Sequence, residues 1–169
     1  MTNLLSIPYQ LFRPLYEKTS FHRSVIDDLQ DGELRQAYSH CRFITKEHAK
    51  TFYMATRFLP NKKQRGIFAI YGLCRYLDDL VDEAEDLILN ESITIEEVEE
   101  KLYSFKQRLI SVYNGRKVND PILEAFSDTL RQYDISIDLP FLLMEGVKTD
   151  LTKSRFQSFD EIYDYSYKV

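Results

Sequence analysis

Glycine and proline are scarce in this chain of 169 residues, which has five of each. Their scarcity disfavours a turn-rich all-β fold and favours long helices. Basic residues are also in deficit, because 22 lysines and arginines stand against 27 aspartates and glutamates and leave a net charge of −5. A chain with this charge lacks the general electrostatic footprint of a nucleic-acid-binding protein, so we predict no nucleic-acid partner.

Long apolar runs are missing as well. No stretch has the roughly 18 apolar residues of a membrane-spanning helix, and the N-terminal "MTNLLSIPYQLF" lacks both the basic start and the apolar core of a signal peptide. The only cysteines, Cys41 and Cys74, have no metal-site spacing and are expected to be reduced thiols. These absences predict a cytoplasmic protein.

The composition is that of a globular chain, with 44% hydrophobic and 29% charged residues. A chain of this length can bury a real core in one domain. Residues 1–30 are expected to form an irregular, partly amphipathic lead-in, and residues 31–169 to form a helical domain. No alternating strand pattern and no internal repeat is found, so the predicted fold class is all-α. The predicted helices run from about Asp31 to Leu59, Lys62 to Asp86, Ser92 to Gly115, Pro121 to Tyr133, Leu139 to Leu151, and from near Ser158 onward.

The segment "CRYLDDLVDE", residues 74–83, concentrates four carboxylates within one predicted helix. Helical spacing places one polar stripe along this helix. Its members are Tyr71, Arg75, Asp78 and Asp82. A neighbouring apolar stripe is expected to face the core, and it consists of Ile67, Ile70, Leu73 with Cys74, Leu77 and Val81.

Two carboxylates one helical turn apart can bind a hard divalent cation such as Mg²⁺, which completes its shell with water and phosphate oxygens. The planar fork of Arg75 is suited to phosphate oxygens. The stripe therefore predicts a Mg²⁺–diphosphate site. The alternative is a solvent-facing acidic turn in which Arg75 pairs with Asp78. Asp160 and Asp164 repeat the spacing without a basic stripe, and we expect them to be a solvated helix face.

Two segments, "HAKTFYMATRFLP" and "KQRGIFAIYGLCRYLDDLVDE", resemble the squalene/phytoene synthase family of head-to-head prenyl diphosphate condensing enzymes. A weaker likeness continues at "GVKTDL" and "YDYSYKV". The resemblance implies a helical isoprenoid-synthase-type fold. The second aspartate-rich motif of the family is not found in this sequence, so the chain is expected to correspond to the N-terminal half of its relatives.

The resemblance also assigns site residues. It implies that Asp78 and Asp82 bind the metal and that they act in catalysis with Arg75 and Tyr71, two diphosphate-contacting residues. The remaining substrate-binding residues that it implies are His48, Ala49, Lys50, Thr51, Phe52, Tyr165 and Val169. Ala49 stands where relatives often have serine, so one phosphate-contacting hydroxyl is missing. Three of these positions also have ordinary interpretations: His48 as a surface histidine, Lys50 as a solvated cation and Phe52 as a core residue.

The implied activity is the Mg²⁺-dependent joining of two C15 or C20 prenyl diphosphates to phytoene, dehydrosqualene or squalene, with Mn²⁺ as a second candidate metal and NADPH needed only for squalene. A peripheral contact with the inner face of a membrane would serve product release. Two alternatives stay open: a head-to-tail prenyltransferase or terpene cyclase, and a non-catalytic helical assembly or scaffold protein. Because the second motif is not found, residues 1–169 alone are not expected to catalyse the condensation.

Overall fold

The structure, a computed structural model, describes residues 25–151 and 155–169, without the side chains of residues 85, 86 and 89. These ranges contain helices and no strand, which confirms the all-α prediction. The helices are α1 (Gly32–His48), α2 (Lys50–Thr56), α3 (Asn61–Leu89), α4 (Ile95–Tyr113), α5 (Pro121–Gln132), α6 (Asp138–Asp150) and α7 (Phe159–Lys168). None of the helices in the described ranges combines the length and apolarity needed to cross a bilayer.

Side-chain caps set the start of four helices. The Asp31 carboxylate accepts hydrogen bonds from the first backbone N–H groups of α1, and Asp120 does the same for α5, where Pro121 follows. Thr94 and Glu97 form a reciprocal capping box at α4, and Ser158 caps α7. Such caps satisfy N–H groups that have no partner inside the helix, which is why several predicted helix starts lie close to the observed ones.

The predicted helix from Asp31 to Leu59 is wrong, because the chain breaks at Ala49 (φ −134°, ψ 61°) into α1 and α2. The break turns Tyr53 into the core, where its ring stacks on Phe68 with centroids 5.7 Å apart. Its hydroxyl accepts a hydrogen bond from Arg42 Nε at 3.1 Å. These tertiary contacts favour the break over continued helix, and the local sequence pattern does not contain them.

The predicted irregular lead-in needs a partial correction. Residues 1–24 lie outside the described ranges, but residues 25–27 are helical, and Val25 and Ile26 are buried in the core. The buried Arg65 Nη1 donates to the Val25 carbonyl and to Asp28 Oδ1, both at 2.6 Å. The end of the predicted lead-in therefore belongs to the same core as the helices that follow.

The long helix α3 lies at the centre and packs against α1, α4, α5 and α6. Its buried hydrophobic residues are Phe68, Ala69, Leu73, Leu77, Val81 and Ala84. The prediction of Ile70 as core is wrong, since its side chain is 40% exposed. Ile70 and the half-buried Ile67 instead line an apolar groove of about 310 Å³ with Gly66 and Tyr133, because Tyr133 follows the end of α5 and covers this part of α3 only partly.

Helices α1 and α3 pack closely where Gly72 meets Cys41. A Cβ added to Gly72 would lie 3.2 Å from the Cys41 sulfur, so even alanine there would require Cys41 to shift slightly. Both cysteines are free. Burial raises the pKa of the Cys41 thiol to about 12 and that of the half-buried Cys74 to about 11.

The contact between α1 and α5 generates a stability prediction. Tyr38 is fully buried, and its hydroxyl donates to Asp128 Oδ2 at 2.8 Å and lies 3.2 Å from Thr129 Oγ1. Tyr38→Phe should lower the free energy of unfolding by about 1–2 kcal/mol, because it removes a hydrogen bond to the carboxylate of Asp128 from the contact between α1 and α5. Urea denaturation would measure this. Tyr103→Phe, at a tyrosine that is 64% exposed, is the matched control, and equal effects of the two substitutions would contradict the assignment.

Candidate functional site

The polar stripe of α3 lies at the edge of the core. Tyr71, Arg75 and Asp78 are half-buried, whereas Asp82 is exposed. Arg75 forms its ion pair with Asp79, one turn along the helix, and not with Asp78 as in the solvent-facing alternative. Within the described part of the chain, Asp78 has no ion-pair partner.

The environment of Asp78 disfavours its charged form. Burial raises the pKa of its carboxyl above the ordinary range, and the nearby charge of Asp82 raises it further. Arg75 opposes this effect, while Asp79 and Asp150 add to it. A desolvated carboxylate surrounded by other carboxylates favours binding of a cation, which would remove the repulsion.

Arg75 has N–H donors beyond those in its ion pair. Its Nε is buried and has no hydrogen-bond partner within the described residues, although a terminal nitrogen of the same group pairs with Asp79. Buried donors of this kind are costly when they stay unsatisfied. A guanidinium binds phosphate oxygens through parallel N–H groups, so an anion placed beside Arg75 would satisfy this donor.

An aromatic pair joins α2 to the same stripe. The rings of Phe52 and Tyr71 lie with centroids 5.8 Å apart and an interplanar angle of 33°. Burial raises the pKa of the Tyr71 hydroxyl, with the Arg75 charge acting in the opposite direction. Phe52 is 46% exposed. Its ring therefore lies at the surface beside the polar stripe and is not a core residue.

The segment between α1 and α2 carries the other predicted phosphate-contacting residues. His48, Lys50 and Thr51 are exposed, and Ala49 is half-buried at the helix break. In the described part of the chain, no hydrogen bond or ion pair joins these side chains to Asp78 or Asp82. The ring contact of Phe52 with Tyr71 connects this segment to the stripe.

Helix α7 brings Tyr165 to the carboxylates. Its hydroxyl donates to Asp150 Oδ2 at 3.0 Å, and its ring lies 5.0 Å from that of Phe156. Burial raises the pKa of Tyr165, as do the hydrogen bond to Asp150 and the charges of Asp150, Asp78 and Asp82. Both α3 aspartates are therefore near enough to Tyr165 for their charges to act on its hydroxyl.

Val169, the other predicted cavity residue on this segment, packs on α6. A Cβ added to Gly146 would lie 2.5 Å from Val169 Cγ1, so only glycine accommodates this approach. The side chain of Val169 is nevertheless 52% exposed. In the described structure it holds α7 against α6 and does not contact the stripe of α3 directly.

Asp150 is the residue that the sequence reasoning missed. It is the last residue of α6, half-buried, and its charge acts on both Asp78 and Tyr165. The available signal was its place in "GVKTDL", one of the segments that carry the weaker family likeness. Spacing along one helix could not have found it, because it reaches the site from a different helix.

The carboxylates of Asp78 and Asp82 are suited to a hard cation that takes its remaining ligands from water or phosphate. In the ranges that the structure describes, no three histidine, cysteine or acidic side chains are arranged to hold a metal ion. Asp78 and Asp82 offer carboxylate oxygens, and Mg²⁺ is commonly held by one or two carboxylates with water and phosphate oxygens completing its shell. The second pair, Asp160 and Asp164, is exposed on α7, where Asp164 pairs with Lys168 at 2.9 Å.

Comparison with known proteins finds a matching family model and similar sequences. The family model for squalene/phytoene synthase matches residues 45–169. Phytoene synthase 1 from Zea mays is 36% identical over 143 residues, which are 84% of this chain and 32% of the maize protein. The 15-cis-phytoene synthase of Synechococcus elongatus is 36% identical over 139 residues, or 82% of this chain and 42% of that protein. The chain thus spans well under half the length of these relatives.

Two solved structures are similar in fold. A crystal structure of a dehydrosqualene synthase in complex with a ligand superposes with a TM-score of 0.69 at 24% identity, over 81% of this chain and 44% of that one. The squalene synthase HpnC from Alicyclobacillus acidocaldarius gives a TM-score of 0.69 at 21% identity, over 85% and 50%. The helices described above therefore follow the all-α isoprenoid synthase fold.

The raised pKa of Asp78 generates a prediction for the metal-free protein. Asp78→Asn should raise the free energy of unfolding at pH 7 by about 0.2–0.5 kcal/mol, because it removes one member of a like-charged i, i+4 pair. A raised folded-state pKa means that the charged carboxylate costs stability above that pKa, so the gain should shrink as pH falls through the carboxyl's titration range. Thermal denaturation in EDTA at several pH values would test this.

Asp160→Asn is the matched control for this measurement, since Asp160 is exposed in the first turn of α7. An acidic residue there interacts favourably with the helix dipole, so its removal should leave stability unchanged or lower it slightly. Destabilisation by Asp78→Asn at neutral pH would show that Asp78 is structural.

Proposed function

Since the chain belongs to the squalene/phytoene synthase family, we propose that it supplies the first aspartate-rich helix of an enzyme that joins two prenyl diphosphates head to head. One observation carries the proposal. The half-buried Asp78 lies on one face of α3 with Asp82 and with Arg75, whose Nε has no partner in the described residues. A site with this pairing of negative and positive groups is complementary to a metal–diphosphate complex.

The proposed substrates are C15 or C20 prenyl diphosphates and the proposed product is phytoene, dehydrosqualene or squalene. The curated relatives described above are phytoene synthases, which favours the C20 substrate and phytoene. NADPH would be needed only for a squalene product. A peripheral position on the inner face of a membrane is part of this proposal, because the hydrocarbon product would be almost insoluble in water.

In this proposal Asp78 and Asp82 hold Mg²⁺, or Mn²⁺ in its place. When bound, such an ion supplies positive charge that stabilises a departing diphosphate. The protein contributes the placement of the two carboxylates one turn apart on a rigid, well-packed helix. Partial burial of Asp78 keeps water from screening its charge, so attraction for a cation is stronger there than at a fully exposed pair.

Arg75 is proposed to bind the diphosphate. Its pairing with Asp79 fixes one terminal nitrogen of the guanidinium, and the remaining N–H groups, among them the unpartnered Nε, would be available to phosphate oxygens. The Tyr71 hydroxyl lies on the same stripe and can donate a further hydrogen bond. His48, Lys50 and Thr51 would contact the phosphates from the junction of α1 and α2, next to Ala49, with Lys50 as the cation.

The aromatic residues are proposed to line the prenyl pocket. The rings of Phe52 and Tyr71 lie side by side, and Tyr165 approaches from α7. Ring faces stabilise cations by about 0.5–2 kcal/mol each, so such a wall would stabilise an allylic cation and exclude water. Val169 would add apolar surface at the end of α7.

The first test of this function is a binding measurement. Calorimetric titration with Mg²⁺ and an unreactive farnesyl thiolodiphosphate should show metal-dependent binding. Its affinity should be at least about tenfold lower for Asp78→Ala and for Asp82→Ala, which is a loss of about 1.4 kcal/mol of binding free energy. Asp160→Ala removes a carboxylate with the same D-x-x-x-D spacing and should bind like the wild type. Unchanged affinity in both α3 variants, with circular dichroism showing an intact fold, would eliminate the proposed site.

A second test concerns catalysis by residues 1–169 alone, which we expect to be negligible. Two substrates bring roughly six negative charges into a largely dry cavity, and the carboxylates of α3 can seat only part of the metal needed. Incubation with Mg²⁺ and geranylgeranyl or farnesyl diphosphate, followed by lipid extraction, would detect product. Efficient formation of a C30 or C40 hydrocarbon would show that the first motif suffices. A chain that binds no prenyl diphosphate at all would favour the scaffold alternative.

A further inference from the structure

Asp150 occupies a position where an acidic residue is electrostatically unfavourable. It is the last residue of α6, and the C-terminal end of a helix carries partial negative charge that disfavours carboxylates. Its charge also repels that of Asp78 on α3. Both effects lower stability, so the charge of Asp150 is unfavourable for folding.

Two lysines of the described helices near Asp150 pair with other carboxylates. Lys148 pairs with Glu99 at 2.7 Å, and Lys168 pairs with Asp164 at 2.9 Å. Within the described part of the chain, Asp150 has no ion-pair partner. Its observed partner is the hydroxyl of Tyr165, which donates to Oδ2 at 3.0 Å.

Two matched contacts fix the geometry of this hydrogen bond. Gly146 and Asp150 lie one turn apart on α6, and Tyr165 and Val169 lie one turn apart at the end of α7. Val169 packs against Gly146 where a Cβ would not fit, while Tyr165 donates to Asp150. The close approach at glycine therefore sets the distance at which the tyrosine meets the carboxylate.

The direction of the hydrogen bond decides what Tyr165 can offer to a ligand. A phenol has one proton, and an ionised carboxylate can only accept. Because Tyr165 donates that proton to Asp150, the oxygen lone pairs are what remain for other partners. The hydrogen bond to Asp150 holds this oxygen at the end of α6, where the charges of Asp78 and Asp82 also act on it. An oxygen that can only accept is suited to a hydrated cation and not to the diphosphate oxygens.

We propose that Asp150 is a positioning residue that holds the Tyr165 hydroxyl as an acceptor facing Asp78 and Asp82, and thereby strengthens Mg²⁺-dependent binding of diphosphate at α3. The inference rests on the proposed function of that site. It assigns Asp150 no direct contact with the metal or the substrate, in line with the lack of a three-ligand metal cluster in the described ranges. Its effect passes through Tyr165.

A double-substitution cycle tests this dependence. Mg²⁺ and farnesyl thiolodiphosphate are titrated calorimetrically into the wild type, Asp150→Asn, Tyr165→Phe and the variant with both substitutions. If Asp150 acts through Tyr165, each single substitution weakens binding about three- to tenfold and the double variant is no weaker than Tyr165→Phe alone. Residues that act independently would give effects that multiply. Asp164→Asn, on the same helix as Tyr165 but paired with Lys168, is the control and should bind like the wild type.

Urea denaturation in EDTA distinguishes a structural role of Asp150 from the proposed role in positioning Tyr165. Since the charge of Asp150 is unfavourably placed, Asp150→Asn should keep or raise the urea midpoint while it weakens ligand binding. A lower midpoint with unchanged binding would overturn the inference, as would independent, multiplying effects in the cycle. A wild-type chain that shows no metal-dependent binding would overturn the proposed function and this inference with it. Wild-type binding that Asp150→Asn leaves intact would overturn the inference alone.

Discussion

Repulsion between carboxylates beside a hydrophobic core is the constraint on which the arrangement of this chain depends. One face of α3 buries Leu73, Leu77 and Val81, and the adjacent stripe holds Asp78 half out of water. The helix cannot relieve this by moving Asp78 outward without also turning its apolar face away from α1 and α5. The core thus fixes the polar stripe, and the free energy gained by burying the apolar face offsets the electrostatic cost.

Features carried by a single helix were predictable from the sequence. The stripe of Tyr71, Arg75, Asp78 and Asp82 follows from helical spacing, and starts such as Pro121 follow from cap chemistry. The break at Ala49 was not predictable, because alanine favours helix and the break is stabilised by the distant contacts of Tyr53. The assignment of Ile70 to the core failed for a similar reason. Helical spacing places Ile70 on the apolar stripe, but does not show that Tyr133, after the end of α5, covers this part of α3 only partly.

The sequence pattern also missed features that depend on how the helices pack against one another. Asp150 lies more than sixty positions from the aspartates of α3 in the chain, so no periodicity connects them. Arg75 illustrates the same limit at short range. Spacing permits pairing with Asp78 or with Asp79, and the choice of Asp79 is visible only once the helix has neighbours on its other faces. That choice leaves Asp78 without a neutralising partner in the described residues.

The two cysteines have a practical consequence for spectroscopy. Cys41 is enclosed where α1 crosses Gly72, and Cys74 lies partly covered on α3. The thiolate is the form that attacks maleimide and methanethiosulfonate reagents, and burial disfavours this form by raising the pKa of both thiols. The native sequence can therefore serve as a nearly silent background for thiol-directed spin labels or fluorophores. A cysteine introduced on the exposed face of α7 could carry a distance probe to a second one on α2, without replacing either native cysteine.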